Sequence, residues 1–318
     1  MNLLSLSSWP AARIRAVVEA ALELKAHPAR SAGALAGRIL LMLFEKPSLR
    51  TRVSFEVAML QLGGHAIHYD LGGSPWRVGK ETPEDTARTA SRYVDAILAR
   101  LHRSEDLEAL ARGASVPLIN GLTDLEHPCQ ALGDMATLLS RFGRLQGLTL
   151  AYVGDGLNNV THSLIDACAA LGVHLRVGCP ATPGYAPLAA VLLRARSIAS
   201  GSGARLEVVH DPRAAVAGAD AVYTDTWMSY HIPAERRGER YRALEPFRVT
   251  RELLAEAGPK AVFLHCLPAM RGVEQTAEVI DGPQSLVFEP AEMRLHTEKA
   301  LLRLLLTEAG SHARPPRT

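Results

Sequence analysis

Short β-type apolar runs alternate with longer stretches of helical spacing along almost the whole chain, and this alternation restricts the fold more than any other feature. In the first half the runs are RILLMLF, HAIHYDL, VDAILAR and VPLIN; in the second they are LTLAYVGD, VHLRVGC, LEVVH, AVYTDT and AVFLHC. Between them lie patterns such as Thr51 to Leu62, where Val53, Val57 and Leu60 share a helical face and Gly63-Gly64 supplies the stop. A strand that reaches its neighbour through a crossover helix returns parallel to it. The chain is therefore expected to be α/β, with two domains, each a mostly parallel sheet flanked by helices. At 318 residues it is too long for one small core. The expected domains are 1–143 and 147–290, joined near Ser140 to Gly147 after a helical pattern that starts by Leu125. A last helix begins near Pro290, striped by Leu295, Leu301, Leu302 and Leu305, and a polar, proline-rich tail follows it.

Composition narrows the function class. Hydrophobic residues make up 47% and charged residues 21%, as in soluble globular proteins. A formal charge of +2 gives no reason to expect nucleic acid or an acidic membrane as partner. No run is long and apolar enough to span a bilayer, and the first residues lack the basic-then-apolar order of a secretory signal, so the expected location is the cytoplasm. Cys129, Cys168, Cys179 and Cys266 show no metal-finger or redox spacing. Cys168 and Cys179 read as small buried hydrophobes, whereas Cys129 and Cys266 lie in polar motifs and are the better site candidates.

The stretch FEKPSLRTRVSFE leaves a strand and opens a helix. Ser48 is a plausible N-cap, and the first-turn amides beyond it form an anion site to which Arg50 and Arg52 add guanidinium forks. In LEHPCQAL, His127 can donate to a carbonyl oxygen and Gln130 offers both a donor and an acceptor to an amide-like group. Arg100 adds a cation at the carboxyl end of another strand, where α/β proteins bind ligands. YVGDGLNN has Asn159 where a dinucleotide fingerprint has its third glycine, and the next strand ends without an acid, which argues against a nicotinamide cofactor. Asn158 and Asn159 can hold a polar small molecule, or one of them can be a cap. TDTWMSYH puts Asp225 at a strand end with Ser229 four residues on, and FLHCLPAMRG ends another strand at Cys266. Leu267, before Pro268, is expected to be extended with its carbonyl open to a ligand.

In this order, FEKPSLRTRVSFE, DTARTASRYVDAILAR, HPCQAL, GDGLNN, DTWMS, HCLPAMRG and DGPQSLVFEPAEMRLHTEKALL resemble the aspartate/ornithine carbamoyltransferase family, in its ornithine branch. The resemblance implies a carbamoyl-phosphate domain, to which residues 291–318 return so that the C-terminal helix packs on it, and an amino-acid domain. It also implies a homotrimer or a multiple of trimers with sites at subunit borders, and neither metal nor cofactor. Ser48, Leu49 through its backbone, Arg50, Thr51, Arg100 and Arg294 would bind carbamoyl phosphate. His127 and Arg100 would polarise its carbonyl oxygen, while Gln130 and the Leu267 carbonyl would hold its amino group. Asn159, Asp225 and Ser229 would bind the acceptor, with Tyr230 in its pocket and Cys266 beside the reacting amine. The expected products are L-citrulline and phosphate.

Several positions depart from the branch. Tyr230 and His231 replace methionine and glycine, the loop IPAERRGERYRALEPF is about one residue longer, Trp76 stands where relatives often place a glutamine, and Met293 replaces asparagine. Putrescine, lysine or an acylated ornithine therefore stay open as acceptors. A catalytically silent binding subunit is a further alternative, marked by loss of Arg50, Arg100, His127 or Gln130; all four are present. The aspartate branch is disfavoured because it has proline in place of Cys266.

Overall fold

The computed structural model describes residues 1–228 and 232–309, and these form two compact units. The first comprises Met1–Ala136 and the chain from Met293 onward; the second is Thr137–Glu292. The first unit runs α1 (Ala11–Ala26), β1 (Ile39–Phe44), α2 (Leu49–Gln61), β2 (His65–Asp70), α3 (Pro83–Ala90), β3 (Ala96–Arg100), α4 (Ser104–Gly113), β4 (Leu118–Leu122) and into α5 (Pro128–Phe142). The second runs β5 (Thr149–Val153), α6 (Asn159–Leu171), β6 (His174–Gly178), α7 (Ala189–Ser202), β7 (Leu206–Val209), α8 (Pro212–Val216), β8 (Ala221–Thr224), α9 (Arg237–Leu244), α10 (Arg251–Ala257), β9 (Val262–His265) and α11 (Ala277–Ile280). Then α12 (Glu289–Ala309) carries the chain back into the first unit.

Both sheets are parallel throughout their paired strands. The first has the order β2-β1-β3-β4 and the second β7-β6-β5-β8-β9. In each, the chain builds outward on one side and then crosses back, so the order reverses between β1 and β3 and again between β5 and β8. Loops leaving the carboxyl ends of the strands at such a reversal diverge and leave a crevice for ligand.

Local chemistry sets the elements. Ser48 caps α2, its Oγ accepting from the Thr51 N–H at 3.2 Å. Gly63 ends that helix with φ of 81°, where a Cβ would lie 2.9 Å from Gly33 Cα. The first core gathers Leu43, Ile97, Leu110 and Leu118, and the second gathers Val153, Val222, Phe263 and Leu254. On α12, Leu301, Leu302 and Leu305 of the expected stripe are fully buried, while Leu295 is half-buried.

The face expected on α2 is reversed. Thr51, Phe55, Ala58 and Met59 turn inward, while Val53 is 46% and Leu60 72% exposed. The two faces have similar apolar spacing, and the sheet takes the one that carries the aromatic ring. The helix expected from Leu125 starts at Pro128, because Thr123 closes a turn on Glu126 first, its N–H donating to that carbonyl at 2.9 Å.

Candidate active site

In the first unit the carboxyl ends of β1, β3 and β4 lie abreast, with Phe44 beside Arg100 and Arg100 beside Leu122. Three chain segments meet there. The α2 cap brings Thr51, which is fully buried, and its Oγ1 receives two guanidinium donors: Arg100 Nη1 at 3.3 Å and Arg294 Nη2 at 3.0 Å. Arg100 is 7% and Arg294 2% exposed. Leu49 and Arg50 occupy the first turn of α2, the positive end of the helix dipole.

His127 precedes α5 and is 6% exposed. Its imidazole is held well below its usual range by burial first, then by the Arg294, Arg100 and Arg50 guanidiniums. It is therefore neutral at pH 7 and carries one N–H to donate. Gln130, on the first turn of α5, gives its Nε2 to Asp134 Oδ1 at 2.9 Å. A carboxylate can only accept, so the pairing fixes the amide orientation and leaves the Oε1 edge as its acceptor. Ser48, Leu49, Arg50, Thr51, Arg100, His127, Gln130 and Arg294 thus all belong to one unit, all but Arg294 at strand ends or helix starts; Arg294 comes from the second turn of α12.

Some expectations need correction. Arg52 is not part of this cluster: two residues from Arg50 it lies across the helix, exposed and paired with Glu56 Oε1 at 2.9 Å. Cys129 is packed at 1% exposure, its thiol donating to the Asn120 carbonyl at 3.4 Å and pushed up to about 12 by burial. Cys168 and Cys179 are buried, as expected. Trp76 is 8% exposed in the first unit's own core, with the Arg77 guanidinium 4.4 Å from its ring centroid. Lys46, only 3% exposed just after β1, is a buried cation beyond the residues expected at the site; burial and then Arg100 lower its ammonium below its usual range. Its signal in the sequence was its place between Glu45 and Pro47, inside the motif.

In the second unit the ends of β5, β8 and β9 converge. Thr224 pairs with His265 in register, and its Oγ1 donates to the Val153 carbonyl at 2.7 Å. One residue further on, Asp225 and Cys266 meet, with Sγ donating to Oδ1 at 2.8 Å and the Thr226 N–H donating to the same oxygen at 2.7 Å. Asp225 is 4% exposed. Burial raises its carboxyl, against the opposing influence of His265, the Cys266 thiol and the Thr226 amide. Asn158 is the cap of α6, accepting from the Thr161 N–H at 2.8 Å and donating to Tyr152 Oη at 2.7 Å. Asn159 is the half-buried neighbour at the first helical position. Ser229, Tyr230 and His231 lie outside the described residues.

Leu267 is not extended. Its φ is 54°, in the left-handed region, and its bond to Pro268 is cis. The physical reason is local: the Leu267 N–H donates to His265 Nδ1 at 2.8 Å, a side-chain-to-backbone bond that competes with extended structure. An Nδ1 that accepts leaves the proton on Nε2, which stands 3.3 Å from Glu274 Oε1. Arg240 makes a second buried tie, donating to the Asp155 carboxylate and, through Nε, to the Trp227 carbonyl at 2.9 Å. Neither His265–Glu274 nor Asp155–Arg240 could be paired from spacing, since loops of unpredictable path separate the partners.

Two family models describe the chain: the carbamoyl-P binding domain of aspartate/ornithine carbamoyltransferase matches residues 1–140, and the Asp/Orn binding domain of the same enzymes matches residues 146–305. The chain belongs to the aspartate/ornithine carbamoyltransferase family. It is 48% identical to the ornithine carbamoyltransferase of Anoxybacillus flavithermus over 96% of each chain, and 51% identical to that of Methanothermobacter thermautotrophicus over 86% of this chain and 88% of the relative. The structure of the ornithine carbamoyltransferase from Pyrococcus furiosus superposes with a TM-score of 0.91 at 46% identity, covering 96% of this chain and 97% of that one.

Proposed function

We propose that the protein transfers the carbamoyl group of carbamoyl phosphate to the side-chain amine of L-ornithine, giving L-citrulline and phosphate. One observation carries the reading: two buried guanidiniums, Arg100 and Arg294, converge on Thr51 at the amino end of α2, beside a neutral His127. A helix start with guanidinium forks suits phosphate oxygens.

In this reading residues 1–143 with 291–318 hold carbamoyl phosphate and 147–290 hold the amino acid. Ser48, Leu49 through its N–H, Arg50, Thr51, Arg100 and Arg294 bind the phosphate. His127 and Arg100 donate to the carbamoyl oxygen, on which charge grows as the amine attacks; one such donor is worth about 3 kcal/mol. The Gln130 side-chain carbonyl and the Leu267 carbonyl accept from the carbamoyl NH2. Asn159, Asp225, Ser229 and Tyr230 hold the acceptor, with Cys266 beside the attacking nitrogen. Freeing an alkylammonium of its proton near pH 7 costs roughly 4 to 5 kcal/mol, which desolvation beside the Cys266 thiol reduces. Acceptor specificity is tested by supplying carbamoyl phosphate with ornithine, N-acetylornithine, lysine, putrescine or aspartate. Carbamoylated product is expected from ornithine, and turnover of another amine with none from ornithine would overturn the assignment.

The assembly is a homotrimer working in the cytoplasm, in arginine biosynthesis. What supports a partner copy is exposed apolar surface on the first unit, where Leu49 is 75%, Leu60 72% and Ile67 49% exposed. Light scattering should give three times the chain mass, and Leu60→Glu should lower it.

A further inference from the structure

A carboxylate is built into the cation cluster of the first unit. Glu298 lies one turn beyond Arg294 on α12, and the two are 1% and 2% exposed. Arg294 donates to Glu298 Oε1 through both Nε, at 3.2 Å, and Nη2, at 2.8 Å, while Nη2 also reaches Thr51. Glu298 Oε2 is buried without a hydrogen-bond partner among the described residues. A charged carboxylate with one oxygen in that condition depends chiefly on the guanidinium that grips the other.

The groups that face Glu298 come from three helices. Arg294, on its own helix, favours the charged form, and so does the Ser54 hydroxyl from α2, while burial acts the other way and brings the carboxyl to about 7. Cys129, from α5, is raised to about 12 and stays a thiol. His127, close to the same guanidiniums, stays neutral. Glu298 is thus the member of this set that changes charge near neutrality.

We propose that Glu298 is the resident counter-ion of the anion site, a positioning residue that holds Arg294 until a doubly charged ligand displaces it, and that it takes up a proton as that ligand binds. The inference rests on the phosphate-site reading given above. A dianion brought to Arg294 repels the Glu298 carboxylate at close range in a dry setting, so protonation becomes the low-energy outcome. The balance is simple: solvent supplies one proton to a carboxylate oxygen, Arg294 keeps its charge, and its N–H groups turn from Glu298 to the anion.

Sulfate is the probe, because its charge does not change with pH in the range used. Calorimetric titration of the full-length protein should show affinity that is level below pH 7 and falls by up to about tenfold per pH unit above it. Repeating the titration in buffers of different ionisation enthalpy should give an uptake approaching about one proton per sulfate near pH 8. Glu298→Gln should bind sulfate with little dependence on pH. Independently of any variant, an infrared difference spectrum at pH 8 should gain the band of a protonated carboxyl when sulfate is added to the wild type. Sulfate binding with no pH slope, a slope unchanged in Glu298→Gln, or no carboxyl band would overturn the role of Glu298 while leaving the anion site standing. Failure of sulfate to bind at any pH would remove the anion site itself, and the inference with it.

Discussion

Cys266 Sγ donates to Asp225 Oδ1 across 2.8 Å, joining the ends of two neighbouring parallel strands, β9 and β8. The contact follows from register: Thr224 and His265 are opposite one another, so the next residue of each strand leaves the sheet at the same level. It sets an acid and a thiol side by side where an amino acid is proposed to sit.

Asp225→Asn keeps the shape of that corner and removes its charge. Losing the carboxylate partner of a buried ammonium costs about 3 kcal/mol, so KM for ornithine should rise at least about a hundredfold. Carbamoyl-phosphate affinity should be unchanged. Steady-state kinetics with each substrate varied in turn checks this, and an equal loss for both substrates would contradict an acceptor role.

Arg50→Ala removes a guanidinium from the first turn of α2. Carbamoyl-phosphate binding measured by calorimetry should be abolished. Arg52→Ala, which removes the exposed partner of Glu56, should bind like the wild type. Unchanged affinity in Arg50→Ala would exclude it from the phosphate site.

His127 supplies a pH signature. Its folded value lies below its unfolded one, so its contribution to stability is complete above about pH 6.5 and is lost as pH falls toward the folded value. Denaturant unfolding of the wild type should lose up to about 1.4 kcal/mol per pH unit more than His127→Gln below pH 6.5. Parallel curves for the two proteins would show that the imidazole is not held neutral.

The Asp155–Arg240 pair, at 2% and 4% side-chain exposure, is a stability element. Arg240→Leu strands a buried carboxylate and should cost about 3 to 5 kcal/mol in urea unfolding. Asp155→Asn with Arg240→Leu together should recover part of that loss.

The fold was legible because short apolar strand runs, mostly buried on both faces, alternate with helical patterns along the chain, and the strand runs coincide with the observed sheets within a residue or two. VPLIN is the largest shift: pairing begins at Leu118 and continues to Leu122, since Pro117 has no N–H to give the ladder. In the site, the caps and strand-end residues were readable, because Ser48 and Asn158 act through their immediate neighbours. Which face of α2 turned inward was not, as Val53 and Leu60 compete with Phe55 and Met59 at similar spacing. Nor was Glu298, an apparently ordinary charge on a long helix, whose significance depends on Thr51 arriving from the far end of the chain.

The distance in sequence between Thr51 and Arg294, 243 residues, bears on biogenesis. A ribosome that has released only the first 136 residues has made the α2 cap, Arg100 and His127, but neither Arg294 nor its counter-ion. The nascent first lobe therefore lacks one of the two guanidiniums that meet at Thr51 until the second lobe has been synthesised and α12 emerges. A nascent chain that stops before Arg294 therefore cannot close the Thr51 cluster, however well its first sheet has formed.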